Sequence, residues 1–508
     1  MKECNVNLLN AMKSKNINIT LILLVSFLIS ACQKINTNQN VNAAPNIIYI
    51  LADDLGYNEI GAYGQSKIKT PHIDRLAKQG MLFTQHYSGS AVCAPSRSTF
   101  IEGKQTNHSH VRGNVNNGQP GRLRGNHPLP DVRTLGDIFK EQGYATAAIG
   151  KWGLGGLVGT GHPNDHGFDF FYGYLDQIHA HNYYPDHLVK NRDFVELDNP
   201  PMTKKGWKNS DIPSLADFSK FKGNEFTGDL MNKEAVKFIE QSSAKGKPFF
   251  LYYPTPIPHV ALQLPDHALN KYQGQFQESP YLGDKGYFPH QTPRAAYAGM
   301  VTLLDDYIGE LLETLRKTGQ DNNTLIIFTS DNGPTFNGGS DSVFFESAKP
   351  FRGLKMDLYE GGIRAPFIAY WPNKISPGQQ SDLISAQWDM MATFADIIGG
   401  KANSDTDGIS ILPTLLNQGY QPKHSHLQWE YPEKGGQQAI RMGKWKGIRT
   451  NVKNDLNAPV QLYDLSNDVN EQHDVSSAHP AVVKKIKNLM LQRSTASHRK
   501  WELPGFTR

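Results

Sequence analysis

Asp53 and Asp54 are adjacent carboxylates that close the apolar run Asn46-Ile-Ile-Tyr-Ile-Leu-Ala52. Two carboxylates held side by side at the end of a buried strand repel each other unless a cation lies between them. The same pair elsewhere caps helices or sits in solvated loops, so alone it leaves both readings open. Asp331-Asn332 closes a second apolar run, Thr324-Leu-Ile-Ile-Phe328, and adds two further oxygen donors. A donor set of hard oxygens suits Ca²⁺, with Mg²⁺ second, better than zinc.

The stretch Ser90-Ala-Val-Cys93-Ala-Pro95-Ser-Arg97 is a second constellation. Pro95 fits the first turn of a helix reaching about Glu102. Cys93 then stands at a helix N-terminus, where unpaired N–H groups and the helix dipole favour an anion. Arg97, one turn on, directs its guanidinium to the same place. An inert buried thiol is the other reading of a solitary cysteine.

These residues need a scaffold that brings strand ends together. Apolar runs at 46–52, 145–149, 248–253, 324–328 and 366–370 are too continuous for half-exposed strands and read as strands buried on both faces. Helical patterns at 70–78, 132–142, 227–243, 293–317 and 385–398 lie between them. Such alternation predicts an α/β fold with a mostly parallel sheet and right-handed crossovers. Ligands in such sheets gather beyond the carboxyl ends of the strands. Asp53, Lys151, His259 and Asp331 all follow strand ends. Residues 155–225, rich in Gly, His, Tyr, Pro and Asn, read as long loops over the site. After about Gly400 the pattern changes. Residues 437–449 and 460–464 read as antiparallel strands and 481–492 as a terminal helix, a smaller C-terminal α+β unit.

The chain has 508 residues, 38% of them hydrophobic, with a formal net charge of +4 and no Lys/Arg block of the kind that tracks a phosphate backbone. That excludes a disordered chain and argues against nucleic-acid binding. Lys2, Lys13 and Lys15 precede the apolar run 17–31, which is short for a membrane span. Residues 1–31 therefore read as a secretory signal. Ile29-Ser-Ala-Cys32 resembles a bacterial lipobox, which makes Cys32 a lipidation site and residues 32–44 a polar tether. Gln33 in place of Asp favours sorting to the outer membrane by the same resemblance. The expected protein is exported and lipid-anchored in the periplasm or outer membrane. Of the 3 cysteines, Cys4 leaves with the signal and Cys32 takes the lipid, so Cys93 is a single free thiol with no disulfide partner.

Cys93-Ala-Pro-Ser-Arg97 resembles the Cys-x-Pro-x-Arg signature of the sulfatases. Pro45 to Gly56, Thr70 to Ala77, Gly150-Lys-Trp152, Ser330-Asp-Asn-Gly333, Glu360 to Pro366, Ala439 to Lys446 and Leu462-Tyr-Asp-Leu465 are similar to sulfatase blocks in the expected order. The resemblance implies an alkaline-phosphatase-like mostly parallel sheet between helix layers, with a catalytic domain over 45–400 and a C-terminal antiparallel-sheet subdomain over 401–508. It implies that a formylglycine-generating maturation enzyme oxidises Cys93 to 3-oxoalanine. The hydrated aldehyde attacks sulfur, the alcohol leaves, and sulfate is then eliminated. Asp53, Asp54, Asp331, Asn332 and modified Cys93 would hold calcium. Asp331 could also take the attacking hydroxyl's proton, Arg97 and Lys151 would steady the nucleophile and sulfate, His259 would protonate the leaving oxygen, and Lys355 would bind sulfate. A sulfated saccharide is the expected substrate, because such polymers are met outside the cytoplasm.

The family often has Gly-Lys-Trp-His where this chain has Gly150-Lys151-Trp152-Gly153. His179 and His181 are the residues considered to fill that space. Alternatively Tyr183 and Tyr184 form a sugar-stacking platform; His181 and Arg112 are read as substrate-binding residues, with Asn114 beside them. Two rivals stand beside this reading: a phosphonate or phosphodiester hydrolase of the same superfamily, and an inactive lipoprotein that binds sulfated glycans.

Overall fold

Strand β1 (Asn46–Ala52) is buried along its whole length, and its side chains alternate between two cores. Ile48, Ile50 and Ala52 enter one, while Ile47, Tyr49 and Leu51 enter the other. A strand of period two buried on both faces reads as an unbroken apolar run, and each fully buried Ile or Leu contributes about 2 kcal/mol of transfer free energy. The computed structural model describes residues 44–202 and 218–505. The signal-like segment, Cys32 and the tether to residue 43 lie outside the described residues.

The remaining strands are β2 (Met81–Phe83), β3 (His86–Tyr87), β4 (Ala145–Lys151), β5 (Phe170–Tyr174), β6 (His187–Lys190), β7 (Asp193–Glu196), β8 (Phe249–Tyr253), β9 (Thr324–Ser330), β10 (Phe367–Tyr370), β11 (Gln379–Ser381), β12 (Ser385–Ala386), β13 (Leu427–Tyr431), β14 (Gln437–Met442), β15 (Trp445–Thr450) and β16 (Gln461–Asp464). The main sheet runs β11-β2-β10-β9-β1-β8-β4-β5-β6-β7. Its centre, β9-β1-β8-β4-β5, is parallel. Strand β10 runs antiparallel to its neighbours, and β6 and β7 form an antiparallel margin.

The longer helices are α1 (Pro71–Gln79), α2 (Cys93–Glu102), α3 (Leu135–Glu141), α4 (Thr227–Ala244), α5 (Pro293–Lys317), α6 (Asp389–Ile398) and α7 (Pro480–Met490). Helices α1, α4 and α5 cover the face of Ile48 and Ile50, through residues such as Ile73, Met231 and Leu304. Helices α2, α3 and α6 cover the other, through Phe100, Phe139 and Phe394. Tyr49 stacks on Phe100 with centroids 4.2 Å apart, which fixes α2 against β1.

Several elements differ from the sequence expectation. Helix α3 starts at Leu135 rather than 132, because Thr134 and Asp137 form a reciprocal capping box. Helix α6 starts at Asp389 rather than 385, because Ser385 and Ala386 pair with β3. The region read as loops, 155–225, contains β5, β6 and β7. Asn191 at φ 53 makes the β6–β7 turn, and its side chain accepts from the Phe171 backbone at 2.9 Å.

Strands β13 to β16 form a separate antiparallel sheet in sequential order. One face takes α7 through Ile486 and Met490. The other shares a core with Tyr87, Val92, Leu358 and Trp388. From Ala44 onward the chain is one compact unit, so the strands after residue 400 form a layer of it.

Candidate active site

The order β9-β1-β8-β4 sets four strand ends side by side. Ala52 pairs with Ser330, so the next residues, Asp53 and Asp331, emerge together. The Asp331 amide donates to the Ala52 carbonyl at 3.1 Å, and the Asp54 amide to Asp331 Oδ1 at 3.1 Å. Asp54 has φ 63, in the left-handed region that aspartate tolerates better than most residues. Strand β4 delivers Lys151, and the loop after β8 delivers His259. Helix α2 arrives from the opposite core with Cys93 as its first residue, after Val92 in extended conformation.

These side chains interlock. Cys93 Sγ lies 3.1 Å from Asp53 Oδ1 and 3.8 Å from Asp54 Oδ1. Lys151 Nζ donates to Asp53 Oδ2 at 2.5 Å. Arg97 Nη2 donates to Asp331 Oδ2 at 2.8 Å, and Nη1 donates to the Lys151 carbonyl. Lys355 Nζ donates to Asp54 Oδ2 at 2.7 Å and faces His259 Nε2 at 3.1 Å. His259 Nδ1 contacts the Val260 carbonyl, which assigns the proton to Nδ1 and the lone pair to Nε2. Arg97 and Lys151 are wholly buried behind Cys93, while Lys355 reaches the cavity above it.

Burial opposes the charge on Asp53, yet Lys151, Arg97 and Lys355 hold its carboxyl well below the usual range. Burial and the nearby Asp53 push Asp331 up to about 7 against the pull of Arg97. Burial and Asp53 likewise raise the Cys93 thiol. Burial and the positive Lys355 hold His259 neutral. The cationic groups gain: Asp53 raises Lys151 and Asp54 raises Lys355, each against its own burial. The site is therefore built from fixed opposite charges, with an uncharged thiol and imidazole at its mouth.

The residues fit a hard cation. Asp53, Asp54, Asp331 and Asn332 bring oxygens together, and Asn332 Nδ2 donates to Asp54 Oδ1 at 2.8 Å. That leaves Asn332 Oδ1 buried with no hydrogen-bond partner, an acceptor in want of a positive group. Atoms of Asp53, Asp54, Cys93 and His259 also lie within 4.8 Å of one another, although His259 Nε2 is turned to Lys355.

Above Cys93 is a cavity of about 300 Å³. Cys93, His181, His259 and Lys355 line its floor, and Arg124, Asn126, Asp176, Gln177, Tyr287 and Glu433 line its walls. A larger cavity of about 460 Å³, near Phe170 and Glu234, has neither a buried nucleophile nor paired carboxylates.

His181 stacks on His259, with centroids 4.5 Å apart and planes within 8°. His179 turns away, toward Asp186 and His187. The space beside Gly153 belongs to Gln177: a Cβ on Gly153, at φ +76, would lie 2.7 Å from Gln177 Nε2. That Nε2 is buried without a partner. Sequence reading missed Gln177, because nothing in a polar loop marks which amide faces a distant glycine.

Tyr183 and Tyr184 form no stacking platform. They are 0% and 2% exposed, and both pack on Phe226. The Tyr183 hydroxyl instead donates to the carbonyls of Pro256 at 2.5 Å and His259 at 2.8 Å, holding the His259 loop. Arg112 is also outside the cavity. It is 2% exposed and engages the Ser109 carbonyl, Ser494 and Glu430, because the last turns of the chain pack over it. Asn114 does line the cavity wall.

Comparison with known proteins agrees with this geometry. The Sulfatase family model matches residues 45–400, and a model described as N-sulphoglucosamine sulphohydrolase, C-terminal, matches 354–496. The chain is 32% identical over 542 residues to the N-acetylgalactosamine-6-O-sulfatase of Bacteroides thetaiotaomicron, covering 94% of this chain and 99% of that protein. It is 31% identical over 486 residues to arylsulfatase A of Bos taurus, covering 89% and 88%. Among solved structures, Ps i-CgsB in complex with k-i-k-neocarrahexaose matches with a TM-score of 0.72 at 28% identity, over 91% of this chain and 95% of that one.

Proposed function

The chain belongs to the sulfatase family, and from that premise we propose that it removes a sulfate ester from a sulfated carbohydrate, using oxidised Cys93 and a calcium ion. It is a sulfuric ester hydrolase with the alkaline-phosphatase-like fold. Support for a sugar substrate comes from a relative named for N-acetylgalactosamine 6-O-sulfate and a structural neighbour solved with a neocarrahexaose.

The observation that carries the reading is the position of Cys93. Its sulfur stands at the foot of the cavity, against Asp53, with Arg97, Lys151, His259 and Lys355 around that carboxylate. A sulfate ester is an anion, and nucleophilic attack concentrates charge on its oxygens, so the surrounding groups must be cationic and preorganised. Oxidised to the aldehyde and hydrated, residue 93 supplies the attacking hydroxyl. Asp53, Asp54, Asp331, Asn332 and modified residue 93 would hold calcium, which would supply positive charge to offset these carboxylates and the sulfate. Asp331 Oδ1 and Oδ2 are already oriented by the Asp54 amide and Arg97, so it accepts the nucleophile's proton from a fixed position. Lys355 reaches into the cavity to bind sulfate beside His259 Nε2, and His259, once protonated, gives its proton to the leaving oxygen. Tyr183 keeps the His259 loop in place for this transfer.

The test uses the full chain co-produced with a formylglycine-generating enzyme. Mass spectrometry of the peptide around Cys93 reads conversion of thiol to aldehyde, and a panel of defined sulfated saccharides reads sulfate release. We expect both in the wild type and neither in Cys93→Ala. Full desulfation by a folded Cys93→Ala protein, or faster turnover of phosphonates and phosphodiesters than of sulfate esters, would overturn the reading.

Export and anchoring are part of the same proposal and rest on residues 1–33. Lipidation at Cys32 predicts membrane-associated protein that incorporates labelled fatty acid, and that Cys32→Ser abolishes the label. Unchanged labelling in that variant removes the anchor from the proposal.

A further inference from the structure

His179 and His187 meet across the turn that carries His181. His179 opens the 3-10 turn His179–His181, and His187 opens β6 directly after Asp186. The two imidazoles lie 4.3 Å apart by centroid. His187 Nδ1 is 2.7 Å from Asp186 Oδ1, and His179 Nε2 is 3.8 Å from the same oxygen. One ligand atom from each of the three lies within 4.8 Å of the others. His179 Nε2 is shut off from solvent and has no hydrogen-bond partner. A buried nitrogen left without a partner forfeits the hydrogen bond it made to water, so a group that fills the gap it faces is favoured.

We propose that His179, His187 and Asp186 form a second metal site, for a zinc-class divalent cation, separate from the oxygen-rich site at Cys93. Two imidazoles and one carboxylate are a borderline donor set that selects zinc over calcium or magnesium. Tetrahedral zinc with bonds of about 2.0–2.1 Å needs its ligand atoms about 3.3 Å apart, a shift of roughly half an ångström from the two separations to Asp186, with the imidazoles turning toward each other within the 4.8 Å that spans the cluster.

The surroundings are those of a supported site. The second carboxylate oxygen of Asp186 accepts from Arg122 Nη2 at 2.9 Å, and Glu196 shares the charge of that arginine at 2.5 Å. Such outer partners orient a ligating carboxylate. Tyr174 and Phe194 meet the two imidazoles edge-on, at 5.3 and 5.0 Å. Asp186 is 55% exposed, which gives the ion an entry from solvent and leaves a coordination position to water. The ion would stiffen the segment 176–181, whose Asp176, Gln177 and His181 line the cavity over Cys93. The site stands whether or not residue 93 attacks sulfate.

The experiment is calorimetric titration of zinc chloride alone into tag-free protein saturated with calcium. We expect one zinc equivalent in the wild type, at least tenfold weaker binding in His179→Ala and in Asp186→Asn, and no change in the exposed control His267→Ala. Zinc should raise the melting temperature of the wild type but not of the two site variants. That readout also shows that the variants are folded. No zinc step in the wild type, or a step that both site variants retain, would overturn the proposal.

Discussion

At the scale of single residues, the readable positions were those announced by their neighbours. Asp53, Asp54, Asp331 and Lys151 follow apolar runs, and Cys93 precedes a proline-marked helix start. The structure brings them together because β9, β1, β8 and β4 are adjacent. Gln177 had no such signal, since its significance lies in filling the space beside Gly153. Gln177 lines the cavity wall, and its Nε2 is a buried donor without a partner, which a bound anion or sugar oxygen would take up. Removing a hydrogen bond to a charged group costs about 1.5–3 kcal/mol, or roughly 10- to 150-fold in rate. Gln177→Ala should therefore lower kcat/KM by one to two orders of magnitude on sulfated saccharides, with Cys93 oxidation and melting temperature unchanged. Steady-state kinetics identical to wild type would remove Gln177 from the site. Tyr183 teaches the opposite lesson. Its aromatic neighbours made it look like a sugar platform, but a fully buried tyrosine works through its hydroxyl, here on the His259 loop.

At the scale of elements, continuous apolar runs identified β1, β4, β8, β9 and β10, because strands buried on both faces need no alternation. The short pieces β2, β3, β11 and β12 were illegible: a two- or three-residue strand exists only through its partner. Strands β5 to β7 were hidden by the loop-like composition around them. Helix α6 shows how its start is fixed by contacts no local pattern reveals. Asp389 Oδ2 accepts from the Ala386 amide at 2.8 Å, while Oδ1 accepts from the Ile409 amide at 3.0 Å and meets His424 Nε2 at 2.7 Å. Burial opposes protonation of His424, but Asp389 and then Asp407 raise its pKa above the ordinary value. A histidine raised on folding stabilises fully below about pH 6.5, and the gain is lost as pH rises through its folded value. His424→Gln should thus lower the melting temperature more at pH 5.5 than at pH 9. An equal deficit at both values would mean that the imidazolium–carboxylate pair contributes nothing.

At the scale of the whole molecule, the strands after residue 400 looked like a smaller unit in sequence, since their alternating pattern differs from the parallel core. Their partners were invisible because they lie hundreds of residues away. Trp429 Nε1 donates to the Ser88 carbonyl at 3.0 Å, and its indole lies in one core with Tyr87, Val92 and Leu358. Val92 directly precedes Cys93, so this sheet backs the start of the helix that carries Cys93. A buried charge network crosses the same junction. Lys446 Nζ on β15 reaches Glu360 at 2.8 Å and Glu471 at 3.5 Å, while Arg364 and Tyr87 take the second Glu360 oxygen at 2.9 and 2.8 Å. Against the cost of burial, Lys446, Arg364 and Arg441 hold Glu360 down at about 2. Removing one partner from a buried network strands the others, at a cost of about 3–5 kcal/mol. Lys446→Met should therefore destabilise the chain by that amount in chemical denaturation while residues on both sides of position 400 unfold in one transition. A fragment ending at residue 400 exposes Tyr87, Val92, Leu358, Ile363 and Trp388, and should fail to give a cooperative melt. Were that fragment to melt sharply, or Lys446→Met to split the transition into two, the C-terminal sheet would be an independent domain, and the positioning of Cys93 would have to be explained from the parallel sheet alone.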